Sequence, residues 1–176
     1  MHTQMDFDKH RFLGDWYEIY HSKTLNKKPS TDATFRLANV PDKDNQTSIT
    51  ISKTLANGKT KTKSGKGKTR IKNGTQADLE VKWKLCGHHS VKELATDYDN
   101  YAVVYTAYST CFKRTRGVWI LARKKELPMT VDLDAIFALI ESETHLPRGA
   151  FIQAIHSDAR ASDTADAAVD RAEPTV

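Results

Sequence analysis

Glu18 and Glu93 are the side chains of this chain best placed to do chemistry, because each falls on the inward face of a stretch in which apolar and polar residues alternate. Burying a carboxylate without a partner costs free energy, so such a group is expected to be paired, protonated or in contact with a ligand. Either acid could orient the amine or hydroxyl of a ligand. The alternative is a structural pair with an inward Tyr or Arg, and it is the interpretation that we favour.

Cys86, Cys111 and the adjacent His88 and His89 are the other candidates for chemistry. The two cysteines are too few for a disulfide framework, and their spacing matches no zinc site. Both fall near the ends of predicted strands, which does not favour a nucleophile enclosed in the middle of a site. Neighbouring histidines usually point apart and no third ligand is nearby, so a solvated loop is expected there. The sequence therefore predicts no metal and no other cofactor.

Apolar residues recur at every second position over most of the chain, which indicates β-strands. Asn57-Gly58 favours a two-residue hairpin, because both residues accept positive φ. Short connections between so many strands suit a closed sheet, which has no exposed edges. The eight predicted strands cover residues 15–21, 32–40, 46–55, 59–72, 77–86, 90–97, 101–112 and 117–124.

After Pro128 the apolar period becomes helical. Thr130 or Asp132 can cap a helix that runs to about Thr144, and its single apolar stripe must pack on the outside of the sheet. Residues 150–155 resemble a last short strand. We therefore expect one domain over residues 1–156, followed by a disordered Ala/Asp-rich tail over 157–176.

Length and charge limit the classes of protein further. A chain of 176 residues is ordinarily one domain, and no stretch approaches the ~18 uninterrupted apolar residues that span a bilayer. The first residues contain no apolar run, so we expect a cytoplasmic protein, with secretion as the alternative if the chain is a mature form. The net charge of +5 is uneven: residues 59–72 hold seven basic side chains and no acidic one, whereas the tail is acidic.

Three short motifs stand in a fixed order: Gly14-Asp15-Trp16-Tyr17, the stretch from Thr96 to Thr106, and Trp119-Ile120-Leu121-Ala122-Arg123. Together they resemble the lipocalin family, and residues 95–105 and 118–128 are most similar to its apolipoprotein D branch. The resemblance covers roughly residues 7–156. It implies an all-β fold, an eight-stranded antiparallel up-and-down β-barrel (the lipocalin calyx) with one C-terminal α-helix packed outside. Such a barrel is closed at one end and open at the other to an apolar ligand.

The family pattern also implies a structural floor for the barrel. It places Trp16 at the closed end with Arg123 across its ring, a cation–π contact worth about 0.5 to 2 kcal/mol. The remaining members of this fold signature are interpreted as structural and not catalytic. They are Gly14, Asp97, Tyr98 and Tyr101.

Counting in steps of two from these motifs predicts the inward residues that contact a ligand. They are mostly aliphatic and aromatic, which favours a fatty acid, a sterol, a retinoid or a similar molecule. The same count brings Thr60 and Thr62 to the inner face beside Trp83. Period alone does not distinguish a hollow barrel from a filled one. The predicted ligand-binding residues are Tyr20, Phe35, Leu37, Ile49, Ile51, Leu79, Val81, Trp83, Leu85, Val91, Val104 and Thr106.

The basic stretch over residues 59–72 is by default a solvated face that protects an exposed strand. An anionic membrane surface is the sharper alternative, at ~1 kcal/mol for each lysine close to it. Nucleic acid is not expected, because no aromatic residues interleave with the basic ones.

The leading hypothesis is a monomer that binds and transports a small hydrophobic ligand and is not an enzyme. Two alternatives stay open, a lipocalin-fold enzyme acting on a lipid and a filled barrel acting as a protein-interaction module.

Overall fold

The computed structural model describes residues 7–72, 76–83, 88–109 and 114–157; at positions 44, 45, 69–72, 76–79, 82, 83 and 88 it describes only the backbone. Cys86, Cys111, Leu85 and the predicted tail from 158 onward lie outside the described residues. The described part of the chain forms a short helix α1 (Lys9–Phe12), a longer helix α2 (Leu133–Thr144), a 3₁₀ turn (Arg148–Ala150) and nine strands. The strands are β1 (Gly14–Ser22), β2 (Thr31–Val40), β3 (Lys43–Thr54), β4 (Thr60–Lys72), β5 (Gln76–Trp83), β6 (His88–Thr96), β7 (Tyr101–Ser109), β8 (Arg114–Ala122) and β9 (Phe151–Gln153).

Strands β1 to β8 follow one another around a closed antiparallel barrel. Each strand pairs with the next along the chain, and β1 closes the barrel by pairing with both β2 and β8. The predicted fold class is therefore confirmed. Because the strands alternate in direction, the connections after β1, β3, β5 and β7 lie at one end, which we call the mouth. The connections after β2, β4 and β6 lie at the other end, which we call the floor.

The β3–β4 hairpin forms at the predicted place but with a different turn. Leu55 N donates to Lys59 O at 2.8 Å and Gly58 N to Leu55 O at 2.9 Å, so three residues and not two form the loop. Within this loop, Gly58 is the residue that takes positive φ, at 75°. This arrangement is that of a three-residue hairpin loop with glycine at the left-handed position.

The barrel has one apolar core inside and a second one outside, beneath α2. Helix α2 begins where predicted, since Asp132 Oδ1 accepts a hydrogen bond from Ala135 N at 2.9 Å. Its apolar stripe packs against outward residues of the barrel wall. The buried members of this outer core are Leu94, Val103, Val118, Ile120, Ile136, Phe137 and Ile140.

Strand β1 contains an irregularity that changes which of its side chains face inward. Glu18 lies opposite Leu121, but the pairing shifts by one residue before Tyr20, which lies opposite Ile120. Tyr20 therefore joins the outer core, where its ring meets that of Phe137 edge to face at 5.5 Å between centroids. The prediction that Tyr20 contacts a ligand is wrong, because counting in steps of two does not detect a β-bulge.

Candidate functional site

The barrel interior contains an apolar cavity of about 790 Å³, counting the part that opens to solvent. A mostly apolar wall with a few polar side chains is typical of sites that hold small molecules. Side chains from β2, β3, β5, β6, β7 and β8 form its wall, and the segment before β1 closes its floor. The lining residues are Phe7, Lys9, Phe12, Leu13, Phe35, Leu37, Thr47, Ile49, Ile51, Val81, His89, Val91, Glu93, Val104, Trp119 and Leu121.

Seven of the residues predicted to contact a ligand lie in this lining: Phe35, Leu37, Ile49, Ile51, Val81, Val91 and Val104. Thr106 is fully buried but does not line the cavity; it bonds instead to His89. The side chains of Leu79 and Trp83 are not described, and Leu85 lies outside the described residues. Their predicted contacts with a ligand stay predictions.

Several lining residues were missed by the sequence reasoning. Trp119 and Leu121 lie two positions apart on one face of β8, and Arg123 continues this spacing just beyond the strand. The count in steps of two that placed Arg123 therefore also indicated both residues. Phe7, Phe12 and Leu13 carry no such signal, because they precede the first strand and belong to no alternating stretch. They reach the cavity because α1 folds across the floor, where Phe12 lies 5.2 Å from the Trp16 ring.

Trp16 and Arg123 form the centre of the floor. The guanidinium carbon of Arg123 lies 3.6 Å from the centroid of the Trp16 ring, and Trp16 itself is fully buried. Three backbone carbonyls accept hydrogen bonds from Arg123, those of Tyr98 at 2.9 Å, Asp15 at 3.1 Å and Arg11 at 2.6 Å. Burial lowers the pKa of Arg123. The side chain thus joins the β6–β7 turn to the entrance of β1.

The other residues of the predicted floor signature surround this pair. Gly14 has φ of +104°, and a β-carbon there would lie 3.2 Å from Arg123 Nη1. Asp97 accepts hydrogen bonds from the backbone of Asn100 at 2.8 Å and of Tyr101 at 3.0 Å. Although burial opposes its ionisation, these bonds hold the pKa of Asp97 below its usual value. The Tyr98 ring is buried in the inner core, whereas Tyr101 packs against the outer core.

His89 lies inside the barrel and not in a solvated loop as expected. It belongs to β6, lines the cavity, and its Nε2 lies 2.5 Å from Thr106 Oγ1. Burial, with a smaller contribution from the charge of Lys63, lowers the pKa of His89 to about 4. A neutral imidazole at physiological pH is therefore part of the cavity wall near the mouth.

The inner face of β4 differs from the prediction. Gly65 lies opposite Ile49 and Lys63 opposite Ile51, and cross-strand partners share a face. The lysine face of the hairpin thus points to the inside of the mouth. Thr62 lies on the outer face, where its hydroxyl meets Ser52 Oγ at 3.1 Å. The predicted placement of Thr60 and Thr62 on the inner face is wrong, since it assumed that lysines could not occupy that face.

Glu18 forms a structural pair, although with a histidine and not with the expected Tyr or Arg. Its Oε1 lies 2.7 Å from His21 Nδ1, and both side chains are almost fully buried. The β1 bulge makes this contact possible by bringing residues three apart to one face. His156 Nε2 donates to the backbone carbonyl of Glu18 at 2.8 Å, so the chain after β9 is attached at the same point.

Glu93 is the inward carboxyl that has no such partner. It is 5% exposed and lines the cavity, and Oε1 has no hydrogen-bond partner among the described residues. Burial raises the pKa of Glu93 to about 7. The carboxyl therefore titrates near neutral pH in a site with mostly apolar walls.

Within the described ranges, no cluster of three or more His, Cys, Asp or Glu side chains could hold a metal ion. No helix there is long and apolar enough to cross a membrane.

Comparisons with known proteins agree with this geometry. The family model described as "Lipocalin / cytosolic fatty-acid binding protein family" matches residues 13–139. Apolipoprotein D of Macaca fascicularis is 35% identical over 137 residues, which cover 74% of this chain and 68% of the relative.

Solved structures with low sequence identity share the fold. Lobster apocrustacyanin A1 superposes with a TM-score of 0.67 at 16% identity, over 89% of this chain and 84% of that one. Insecticyanin from the tobacco hornworm Manduca sexta gives a TM-score of 0.64 at 21% identity, over 90% of this chain and 87% of that one. Both likenesses concern the fold alone.

Proposed function

Since this chain belongs to the lipocalin family and to its apolipoprotein D-like branch, it binds and transports a small hydrophobic ligand, and we propose that the ligand is enclosed in the cavity described above. The observation that carries the proposal is the composition of the lining. Twelve of its sixteen residues are apolar, and the polar ones are Lys9, Thr47, His89 and Glu93. Moving apolar ligand surface from water to such a wall yields roughly 25 cal/mol per Å².

Lipocalins are generally binding and transport proteins, and we propose that this one performs no covalent chemistry on its ligand. The titratable groups of the lining are His89 near the mouth, Glu93 deeper in the cavity and Lys9 at the floor. His89 is bonded to Thr106, and its low pKa makes it a weak base. No nucleophile activated by a neighbouring base is found among the described lining residues. Fatty acids, sterols and retinoids remain the ligand classes that fit such a wall.

The first test is mass analysis of the natively purified protein and of its organic extract. We expect a stoichiometric host lipid, because a preformed apolar cavity retains such molecules. Titration of the delipidated protein with palmitate, cholesterol and retinol follows, with Trp emission as the signal. Trp119 lines the cavity, so Trp119→Phe should lose most of the signal and keep the fold. If no host lipid is found and no probe binds below ~100 μM, about 5.5 kcal/mol, the carrier proposal is wrong and the interaction module becomes the better account.

We further propose that the mouth approaches anionic membrane surfaces when the ligand is collected. Lys61 and Lys63 lie on the inner face of the mouth, and Lys66 and Lys68 lie exposed farther along β4. A cationic rim is attracted to acidic lipid over about 8 to 10 Å at physiological salt. Nucleic acid fits this surface less well, because no aromatic side chain stands among these lysines.

The state proposed for the protein in solution is a monomer. Among the described residues, the large apolar side chains that are exposed are Leu55, Met129 and Ile155. Three such side chains are too few for the contiguous apolar patch that a stable dimer buries. Light scattering during size-exclusion chromatography should give the mass of one chain, 19.8 kDa.

A further inference from the structure

The Glu93 carboxyl is the polar feature of the cavity that the fold does not account for. Polar groups buried in the interior of a protein are mostly hydrogen-bonded, so an exception calls for a reason. Glu18, the other inward carboxyl, has His21 as its partner at 2.7 Å. Glu93 is buried to a similar extent, yet its Oε1 has no partner among the described residues.

Because Glu93 lines the cavity, a bound ligand can supply the partner that the described residues do not. Glu93 stands on β6 opposite Val104 of β7, and both line the cavity. His89 lies on the same face of β6 four residues nearer the mouth, or about 13 Å along the strand. An elongated apolar molecule that enters from the mouth would therefore bring its leading end to Glu93.

The charges around the cavity distinguish between the groups that this end can carry. Lys61 and Lys63 face the inside of the mouth, and Lys9 lines the floor, so the potential along the path opposes an ammonium group. A buried ion pair also gains little once both partners are desolvated. An ionised acid would be repelled by the Glu93 carboxylate and is better matched to the lysines at the mouth. A hydroxyl can donate to a carboxylate and accept from a carboxylic acid, so it fits Glu93 in either protonation state.

We propose that Glu93 is the deep polar anchor of the ligand site and that it selects apolar molecules with a neutral hydroxyl at their leading end. This inference rests on the proposed carrier function and makes it narrower. Fatty acids without a hydroxyl at the leading end are then weaker ligands. The favoured ligands are long-chain, isoprenoid or sterol-like alcohols.

The test compares three probes that share one apolar body: retinol, retinylamine and retinoic acid. Each is titrated at pH 7 into delipidated wild type, Glu93→Gln and Glu93→Leu, with quenching of Trp emission as the signal. Gln keeps a donor and an acceptor of nearly the same shape, whereas Leu keeps only the volume. Glu126→Gln, which removes an exposed carboxyl, is the control for net charge.

In the wild type we expect retinol to bind most tightly of the three. The affinity of Glu93→Gln for retinol should stay within about threefold of the wild-type value. The affinity of Glu93→Leu should fall about tenfold, which corresponds to the loss of one hydrogen bond of ~1.4 kcal/mol. The affinity for retinoic acid should not fall in Glu93→Leu, since an ionised acid gains when the carboxylate is removed.

Two results would overturn the inference. Retinylamine binding most tightly in the wild type, with the preference lost in Glu93→Gln, would make Glu93 an anchor for cations. Equal affinity of the wild type, Glu93→Gln and Glu93→Leu for retinol would show that the carboxyl makes no contact with the ligand. Neither result contradicts the carrier function. That function would be wrong only if the purified protein held no host lipid and the wild type bound none of the probes.

Discussion

The Arg123 guanidinium lies 3.6 Å from the centroid of the Trp16 ring and at the same time donates to the carbonyl oxygens of Arg11, Asp15 and Tyr98. One side chain thus joins the end of β8 to two segments that are distant in sequence, residues 11–15 and the β6–β7 turn. Its charge is held in place by carbonyl dipoles and by the ring face, so the contact is stronger than that of an exposed ion pair.

Removal of either partner should destabilise the barrel floor to different extents. Trp16→Ala should cost about 3 to 5 kcal/mol because it leaves a cavity, and Arg123→Ala about 1 to 3 kcal/mol. Arg36→Ala is the matched control, since Arg36 pairs with Asp15 at the exposed surface, where an ion pair contributes little to stability. Urea denaturation of the three variants measures these values. A loss in Arg123→Ala no larger than in Arg36→Ala would contradict the structural role given to the stack.

Stability should fall with rising pH because of Glu93. Its pKa rises from the ordinary value of 4.5 to about 7 on folding, so the folded state holds the proton more tightly than the unfolded state. The stability due to this group is complete below about pH 4.5 and is lost as the pH rises through about 7, by roughly 3 kcal/mol. Denaturation of delipidated protein between pH 4.5 and 8 should show this slope in the wild type. Glu93→Gln should reduce it, and an unchanged slope in that variant would assign the pH dependence to other groups.

Narrowing the cavity should weaken ligand binding without unfolding the barrel. Ile51→Trp adds volume to a lining residue that is only partly buried, so overpacking should cost about 1 to 3 kcal/mol while occupying the ligand space. Thr50→Trp is the control, because Thr50 lies on the outer face of β3 and bonds to Ser64. We expect retinol affinity to drop at least tenfold in Ile51→Trp only. Equal losses in the two variants would place the ligand elsewhere than in this cavity.

Vesicle binding should depend on the lysines of β4 and its turn. Flotation with vesicles of phosphatidylserine and phosphatidylcholine should recover the wild type at low salt and less of it at physiological salt. Changing Lys59, Lys61, Lys63 and Lys66 together to Gln should abolish the recovery of protein with the acidic vesicles. Changing Lys43 and Lys124, which lie near the floor, to Gln should not. Equal recovery with neutral vesicles would show that charge does not drive the contact.

Much of the architecture could be predicted because it depends on local patterns. Alternation gives strands, eight strands with short connections close into a barrel, and the change to helical period marks α2 with its cap at Asp132. The positions of Phe35, Ile49 and Val104 on the cavity wall follow from the same alternation within β2, β3 and β7.

The parts that escaped prediction depend on contacts between distant segments. Tyr20 was misplaced because a bulge leaves no mark in the polarity of β1. Phe12 reaches the cavity because α1 packs on Trp16, a tertiary contact that no period reveals. His89 was expected in solvent, because a histidine is compatible with either face until Thr106 is known to lie beside it.

The bulge in β1 has a consequence for how the chain can vary in length. Deleting one residue from a strand ordinarily inverts every side chain beyond the deletion, so insertions and deletions are confined to loops. Ile19 lies where the pairing of β1 with β8 shifts by one residue. Its removal would restore the regular ladder, leaving Glu18 and His21 inside the barrel and Tyr20 against α2. This strand therefore contains one position at which related chains can differ in length without exchanging the ligand wall for the helix-docking surface.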